Sequence, residues 1–392
     1  MMNELKRANT YKVPTITGRY ITNEKVIDFL QDLNHYFKVR VIGKSVENRP
    51  IYTVQFGQGK TKVLMWSQMH GNESTTTKAV LDLLRYLNEA DDEQVALWKE
   101  KFTLTIVPIL NPDGAFYYTR VNANQVDLNR DSVDLSQPES KILRQLLEEI
   151  QPDYAFNLHD QRSIFGVGET GKSAAISFLA PAFNEQRALN ETRKKAIRLI
   201  VAMNKAVQEI APGHVGRFDD AFNLNCIGDY TQARGIPTIL IEAGHLHGDY
   251  QRENTRTLVV VSLGRALATL AAKEEQVDDN LTNCDQDLAT YFSLPANVKN
   301  FCDVELRSVR IPSSERKFIV KIQYKEILME GSVKFCPIIV DIDKKGSKFV
   351  HTLIEKECIL KSFIDEPNQI LDQNFEDVVA LSVEEVNYLL KK

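Results

Sequence analysis

Met65-Trp66-Ser67-Gln68-Met69-His70-Gly71-Asn72-Glu73 is the stretch whose reading decides the fold. It follows Thr61-Lys62-Val63-Leu64, which reads as the end of a buried strand. It leads into a helical pattern from Thr76 to Leu87, with apolar residues at Ala79, Val80, Leu83, Leu84 and Leu87. His70 and Glu73 therefore stand where a strand gives way to a helix, three residues apart, so their side chains can point to one side. An imidazole and a carboxylate so placed suit zinc, which takes nitrogen and oxygen ligands at about 2.0–2.2 Å. A catalytic zinc also needs a third protein ligand and an open position. The rest of the chain must supply that ligand, a base and groups that hold substrate.

Working outward, residues 23–37 read as a helix. An alternating run, Phe37 to Ile42, and Tyr52 to Phe56 form an antiparallel pair at a sheet edge, joined by a turn over residues 43–51. Phe102 to Pro108 is the next strand, and it stops at Asn111-Pro112-Asp113-Gly114, a turn signal. A polar loop follows, from Arg120 to Arg130. Gln137 to Ile150 is a helix with Pro138 in its first turn, and Tyr154 to Leu158 a short strand ending at His159. Residues 162–175 read as a Gly-rich loop, and about 184–210 as a long helix. Gly228 to Arg234 reads as a short helix, Ile236 to Ile241 as an apolar strand ending at Glu242, and Thr255 to Lys273 as a closing helix. Strand and helix alternate four times, which argues an α/β fold with a mixed, mainly parallel sheet.

From about residue 277 the composition changes. Asp278-Asp279-Asn280 and Asn283 to Gln286 read as a polar linker. Strand-like runs follow at 300–309, 317–324, 333–341 and 348–354, with turns at Glu330-Gly331 and Lys344-Lys345-Gly346 and a final helix from Val383 to Leu390. Two domains are expected: residues 1–276, and 277–392 as linker and small β-rich domain.

The 392 residues are 43% hydrophobic and 26% charged, a globular balance, with a net charge of −5. No basic excess is present to neutralise phosphates, which speaks against nucleic acid as a partner. The apolar runs are strand-length, which speaks against a membrane partner. Met1 to Arg7 is not followed by an apolar core, and the five cysteines are scattered, so a cytoplasmic, reducing location is expected.

His70, Glu73, the 120–130 loop, His159 and Glu242 each lie at or just past the end of an apolar strand or in the loop beyond it. In an open α/β sheet the carboxyl ends of the strands are where ligands bind. Taken singly, His159 reads as a satisfied strand-end histidine, Glu242 as a helix cap, and Arg120 and Arg130 as surface ion-pair partners. Their shared placement favours one site.

Six ordered pieces over roughly residues 20–270 make the chain resemble the zinc metallocarboxypeptidases of the carboxypeptidase A/B type. They are Gly43-Lys44-Ser45 with Arg49-Pro50-Ile51, His70-Gly71-Asn72-Glu73, Asn111-Pro112-Asp113-Gly114, Arg120-x-Asn122-Ala123-Asn124-x-x-Asp127-Leu128-Asn129-Arg130, Asn157-Leu158-His159, and Glu242. The resemblance implies one zinc ion per chain, held by His70, Glu73 and His159. It implies Asp127 as the carboxylate orienting His70, Arg120 as the oxyanion donor, Asn129 and Arg130 as the grip on the substrate's terminal carboxylate, and Glu242 as the catalytic glutamate. The implied substrate is a peptide or small amide with a free carboxylate. Zinc acidifies water and polarises the scissile carbonyl, Glu242 would carry the proton to the leaving amine, and Arg130 suits a bidentate carboxylate grip.

The chain departs from the family in two places. No tyrosine stands at 218–226, where the family's mobile tyrosine belongs; Phe218 and Phe222 do. The C-terminal region does not match the small β-sandwich that related enzymes carry. Arg234, Asp229 and Tyr230 are candidates for the side-chain pocket, and His245 and His247 read as loop or substrate-facing residues rather than a second metal site. A zinc deacylase of the aspartoacylase/succinylglutamate desuccinylase type is the second functional reading, since those enzymes share a His-Gly-Asn-Glu-type start and a third His. The Asn111 to Gly114 and Arg120 to Arg130 segments favour the peptidase. A non-catalytic zinc-binding relative is the third reading, and the intact ligand set with Glu242 argues against it.

Overall fold

The computed structural model describes residues 2–273, 281–310, 317–343 and 349–359. It opens with α1 (Met2–Thr10), α2 (Asn23–Gln31) and the antiparallel pair β1 (Phe37–Lys44) and β2 (Pro50–Phe56). Next come β3 (Thr61–Ser67), α3 (Thr75–Glu89), α4 (Glu93–Lys101), β4 (Phe102–Val107), α5 (Pro112–Tyr117) and α6 (Pro138–Ile150). β5 (Tyr154–Asp160), β6 (Phe165–Val167), β7 (Ile176–Leu179), α7 (Glu191–Gln208) and β8 (Val215–Arg217) follow. The larger unit closes with α8 (Ile227–Ala233), β9 (Thr238–Ala243) and α9 (Glu253–Lys273). After it stand α10 (Leu281–Ser293), β10 (Asn297–Lys299), β11 (Phe301–Arg310), β12 (Lys317–Met329), β13 (Ser332–Asp343) and β14 (Phe349–Ile359).

Eight strands make the central sheet, in the order β1-β2-β4-β3-β5-β9-β7-β8. The pairs β3–β4, β3–β5, β5–β9 and β7–β8 are parallel, and the other three are antiparallel. Burial explains the difference between edge and centre. In β1 only Phe37 is buried and the other positions are half-buried or exposed, as at a sheet edge. In β3, Val63 to Ser67 are all buried, as a parallel strand covered on both faces requires. One core packs α1, α3, α4, α7 and α9 against one face, and a second, around Trp66, Leu143 and Ile227, packs α6 and α8 against the other.

Several elements differ from expectation. The helix at 23 stops at Gln31, because Phe37 onward is claimed by β1. Helices α1 and α4 and strands β7 and β8 are additional; the two strands are only four and three residues long, too short to show a period. Residues 165–167 pair as β6 with β10 inside the expected loop. The long helix begins at Glu191 instead of 184. Residues 283–286 lie in α10 instead of a linker. The expected linker residues 278–280, the turn at 344–346 and the helix at 383–390 fall outside the described residues. One apolar run is longer than strand-length: residues 253–272 of α9 are long and apolar enough to cross a membrane by length and composition, yet most of that helix is buried inside the fold.

The second sheet has the order β13-β12-β11-β14. Its turn at Glu330-Gly331 forms as expected, both residues at positive φ.

A buried ion pair ties the N-terminal segment to this core. Asp82 accepts from Val13 N (2.8 Å) and Arg256 Nε (2.6 Å), and Arg256 Nη1 donates to Ile16 O (2.6 Å). Asp82→Ala leaves the buried Arg256 guanidinium with Glu253 as its remaining carboxylate partner and should cost about 3 kcal/mol of stability, read from thermal or urea unfolding. An unchanged midpoint would show that this pair does not hold the segment.

Candidate active site

The first ligand loop is fixed by side chains the sequence already marks. β3 stops at Ser67, and Gln68 turns the chain at φ +50°. Its Nε2 donates to Gly71 O (2.7 Å) and Ile21 O (2.9 Å), and its Oε1 accepts from Thr77 Oγ1 (2.9 Å). Asn111, expected in a turn, instead caps α5 by accepting from Gly114 N (2.8 Å), and its Nδ2 donates to Met69 O (3.1 Å). Gly71 lies so close to α5 that a Cβ there would sit 1.8 Å from the Gly114 carbonyl carbon. Asp113 in turn accepts from Ser45 Oγ (2.7 Å), Glu47 N (3.0 Å) and Arg49 Nη1 (2.6 Å). The 43–51 turn and the 111–114 segment are thus one interlocked support under the His70 loop.

His70, Glu73 and His159 are buried, with candidate ligand atoms within 4.8 Å of one another. His70 Nδ1 lies 2.9 Å from Glu73 Oε1, His159 Nδ1 2.9 Å from Glu73 Oε2, and the two Nδ1 atoms 3.2 Å apart. Ligands about 2.0–2.1 Å from a tetrahedral ion stand roughly 3.3 Å from each other, so the three fit zinc in identity and spacing. His70 Nε2 lies 2.9 Å from Asp127 Oδ1, a bond that fixes the ring's orientation. Burial pushes the Glu73 carboxyl up, but His70 and His159 outweigh it and hold it well below the usual range. Asp160, next to His159, donates its N–H to Glu73 Oε2 (3.1 Å) and caps α3 by accepting from Thr75 N (2.9 Å) and Thr76 N (3.3 Å).

Glu242 pairs directly with His159 in the β5–β9 register. Its carboxyl is pushed well above the usual range, first by burial and then by Glu73 and Asp160, with Arg120 opposing. Arg120 is half-exposed and lies on the triad, donating to Glu73 Oε1 (3.1 Å) and Asp127 Oδ2 (3.2 Å). Asn122, in the same loop, is buried and holds the loop by accepting from Asn124 N and Val126 N. Asn129 accepts at Oδ1 from Ile227 N (3.0 Å), which leaves its Nδ2 as the donor for a ligand. Arg130 is exposed, and its Nη1 donates to Asn129 O (2.6 Å) and Cys226 Sγ (3.1 Å).

The remaining candidates separate. Asp229 is buried and accepts from Asn223 N (2.7 Å), and burial pushes its pKa up to about 6. Tyr230 and Arg234 instead line a cavity of about 360 Å³ with Arg144. His247 is exposed. His245 does not face substrate: it is buried between Tyr250 and His351, with ring centroids 4.5 and 4.4 Å away. Asp160 escaped the sequence reading because it carries no metal-ligand spacing of its own, although its place beside His159 was a usable sign.

The zinc carboxypeptidase family model matches residues 24–157, about a third of the chain, and ends just short of His159. A probable carboxypeptidase 2 from Arthroderma benhamiae is 31% identical over 157 residues, 40% of this chain and 28% of its own length. Carboxypeptidase SOL1 from Arabidopsis thaliana is 30% identical over 166 residues, 37% of this chain and 34% of its own. The chain thus spans about a third or less of these relatives. Carboxypeptidase A from Helicoverpa armigera shares the fold, with a TM-score of 0.54 at 18% identity over 70% of this chain and 81% of its own.

Burial works against a charged His70, but Glu73 and then Asp127 outweigh it, so its pKa stands above the ordinary imidazole value of about 6.5. Proton and metal compete for that ring. Zinc affinity should therefore fall as pH is lowered, starting above about 6.5, when zinc is titrated against a competing chelator at about pH 8 and about pH 6. Equal affinities at the two would remove His70 from the ligand set.

Proposed function

We propose that the chain is a zinc-dependent carboxypeptidase of the zinc metallocarboxypeptidase family that hydrolyses the C-terminal peptide bond, with residues 1–276 as its catalytic domain; the match of the family model to residues 24–157 supports this reading. The observation that carries this reading is the convergence of His70 Nδ1, Glu73 and His159 Nδ1, with Glu242 on the strand position beside His159.

Zinc held by that triad supplies Lewis acidity for the carbonyl and for water. In this reading the chain's own residues take the following roles. Glu242 takes the proton of the attacking water and passes it to the leaving amine. Arg120, anchored on Glu73 and Asp127, presents its exposed guanidinium to the charge that develops on the carbonyl oxygen, worth about 3 kcal/mol of barrier. Asn129 Nδ2 and the Arg130 guanidinium bind the terminal carboxylate, which restricts the enzyme to free chain ends.

Glu242→Gln should keep zinc and lower kcat by about 10²–10⁴. With zinc-loaded protein and a pool of free-ended peptides and N-acyl amino acids, mass spectrometry should show stepwise C-terminal shortening that the variant lacks. Acyl release with peptides untouched would assign the deacylase reading instead. Arg130→Ala should lower kcat/KM for free-ended peptides, and the wild type should discriminate against C-terminally amidated ones. Equal cleavage of both would contradict the carboxylate grip.

A further inference from the structure

The second sheet sits on the two loops that leave the strands of His159 and Glu242. On the His159 side, Gln323 Nε2 donates to Ser163 Oγ (2.9 Å), His351 Nε2 lies 2.8 Å from Ser163 O, and Asn300 N and Phe301 N both donate to Ile164 O (3.1 Å). On the Glu242 side, Tyr250 OH donates to Asp303 Oδ1 (3.0 Å), and His245 meets His351 edge-on. These contacts brace the loops. One contact goes further, because it places a charge.

Arg19 is buried, and its Nε and Nη1 have no hydrogen-bond partner among the described residues. Its charge rests on two carboxylates: Nη2 lies 3.6 Å from Asp160 and 3.4 Å from Glu326, which stands on β12 of the second sheet. The backbone beside Arg19 is fastened to the ligand loop, since Ser74 Oγ donates to Arg19 O (2.5 Å) and Gln68 Nε2 to Ile21 O (2.9 Å). Asp160 follows His159, accepts from the first two amides of α3, Thr75 N and Thr76 N, and donates its N–H to Glu73. Glu326 also accepts from Tyr118 OH, two residues before Arg120.

We propose that Glu326 is a positioning residue for the metal triad, acting through Arg19 and Asp160, so that the catalytic site is incomplete without the second sheet. The proposal rests on reading His70, Glu73 and His159 as metal ligands. Glu326 shares the Arg19 charge with Asp160. Without it the guanidinium has one counter-charge left, and Asp160 is drawn from the α3 cap and from the strand end that carries His159. Outer partners of metal ligands typically change metal affinity by about 10–100-fold.

The test uses the full chain, with Glu326→Gln and Glu326→Asp, and three readouts: zinc affinity against a competing chelator, kcat and KM on a free-ended peptide, and the zinc-free Tm. Glu326→Gln should weaken zinc binding about tenfold and lower kcat while KM stays near the wild-type value. Glu326→Asp should recover most of both, and the two zinc-free variants should melt alike. Wild-type zinc affinity in Glu326→Gln overturns the proposal. So does equal loss in both variants, which would mark a packing role. If Glu326→Gln does not fold, Arg19→Gln, which removes the charge that links Glu326 to Asp160, should weaken zinc binding in the same direction; unchanged affinity there overturns the proposal too. A wild-type chain that binds no zinc defeats the ligand reading and this proposal together, whereas a zinc-binding wild type with an unaffected Glu326→Gln defeats this proposal alone.

Discussion

The in-register parallel pairing of β3, β5 and β9 is the constraint on which the rest depends. Side chains on parallel strands share an end of the sheet, so His159 and Glu242 emerge side by side from β5 and β9, and the segment leaving β3 brings His70 and Glu73 to the same edge. A one-residue slip would turn each strand's side chains to the opposite face. The buried, continuous strands pin that register, because both faces of the sheet are covered by helices.

Around that edge the structure works with charge. Glu73, Asp127, Asp160 and Glu242 crowd a small volume, and burial opposes every one of them. Two imidazoles and two arginines compensate. Arg120 answers Glu73 and Asp127 from the solvent side, and Arg19 answers Asp160 from the buried side. A bound divalent cation would add compensating positive charge to this acidic site.

Much of this was legible in the sequence. Strand ends carrying His159 and Glu242 stood out because apolar runs stop there, and the six ordered motifs placed the triad. The motifs also held more than function: Ser45, Arg49, Asn111 and Asp113, read first as part of a resemblance, are the hydrogen-bonded support of the ligand loop. What escaped was tertiary. β7 and β8 are too short to carry a period, and α5 is nucleated by an Asn cap within a run of turn residues. The Arg19–Glu326 contact joins residues 307 apart; no local pattern announces such a pair. His245 is the loop residue it read as, but its burial comes from the second sheet, through His351.

The most direct test of the account is anomalous diffraction from crystals of the zinc-loaded chain, recorded above and below the zinc edge. The account predicts one peak per chain, bounded by His70 Nδ1, the Glu73 carboxylate and His159 Nδ1, with Glu242 facing it and outside the ligand set. A peak elsewhere, or one that takes Glu242 as a ligand in place of any of the three, would contradict it.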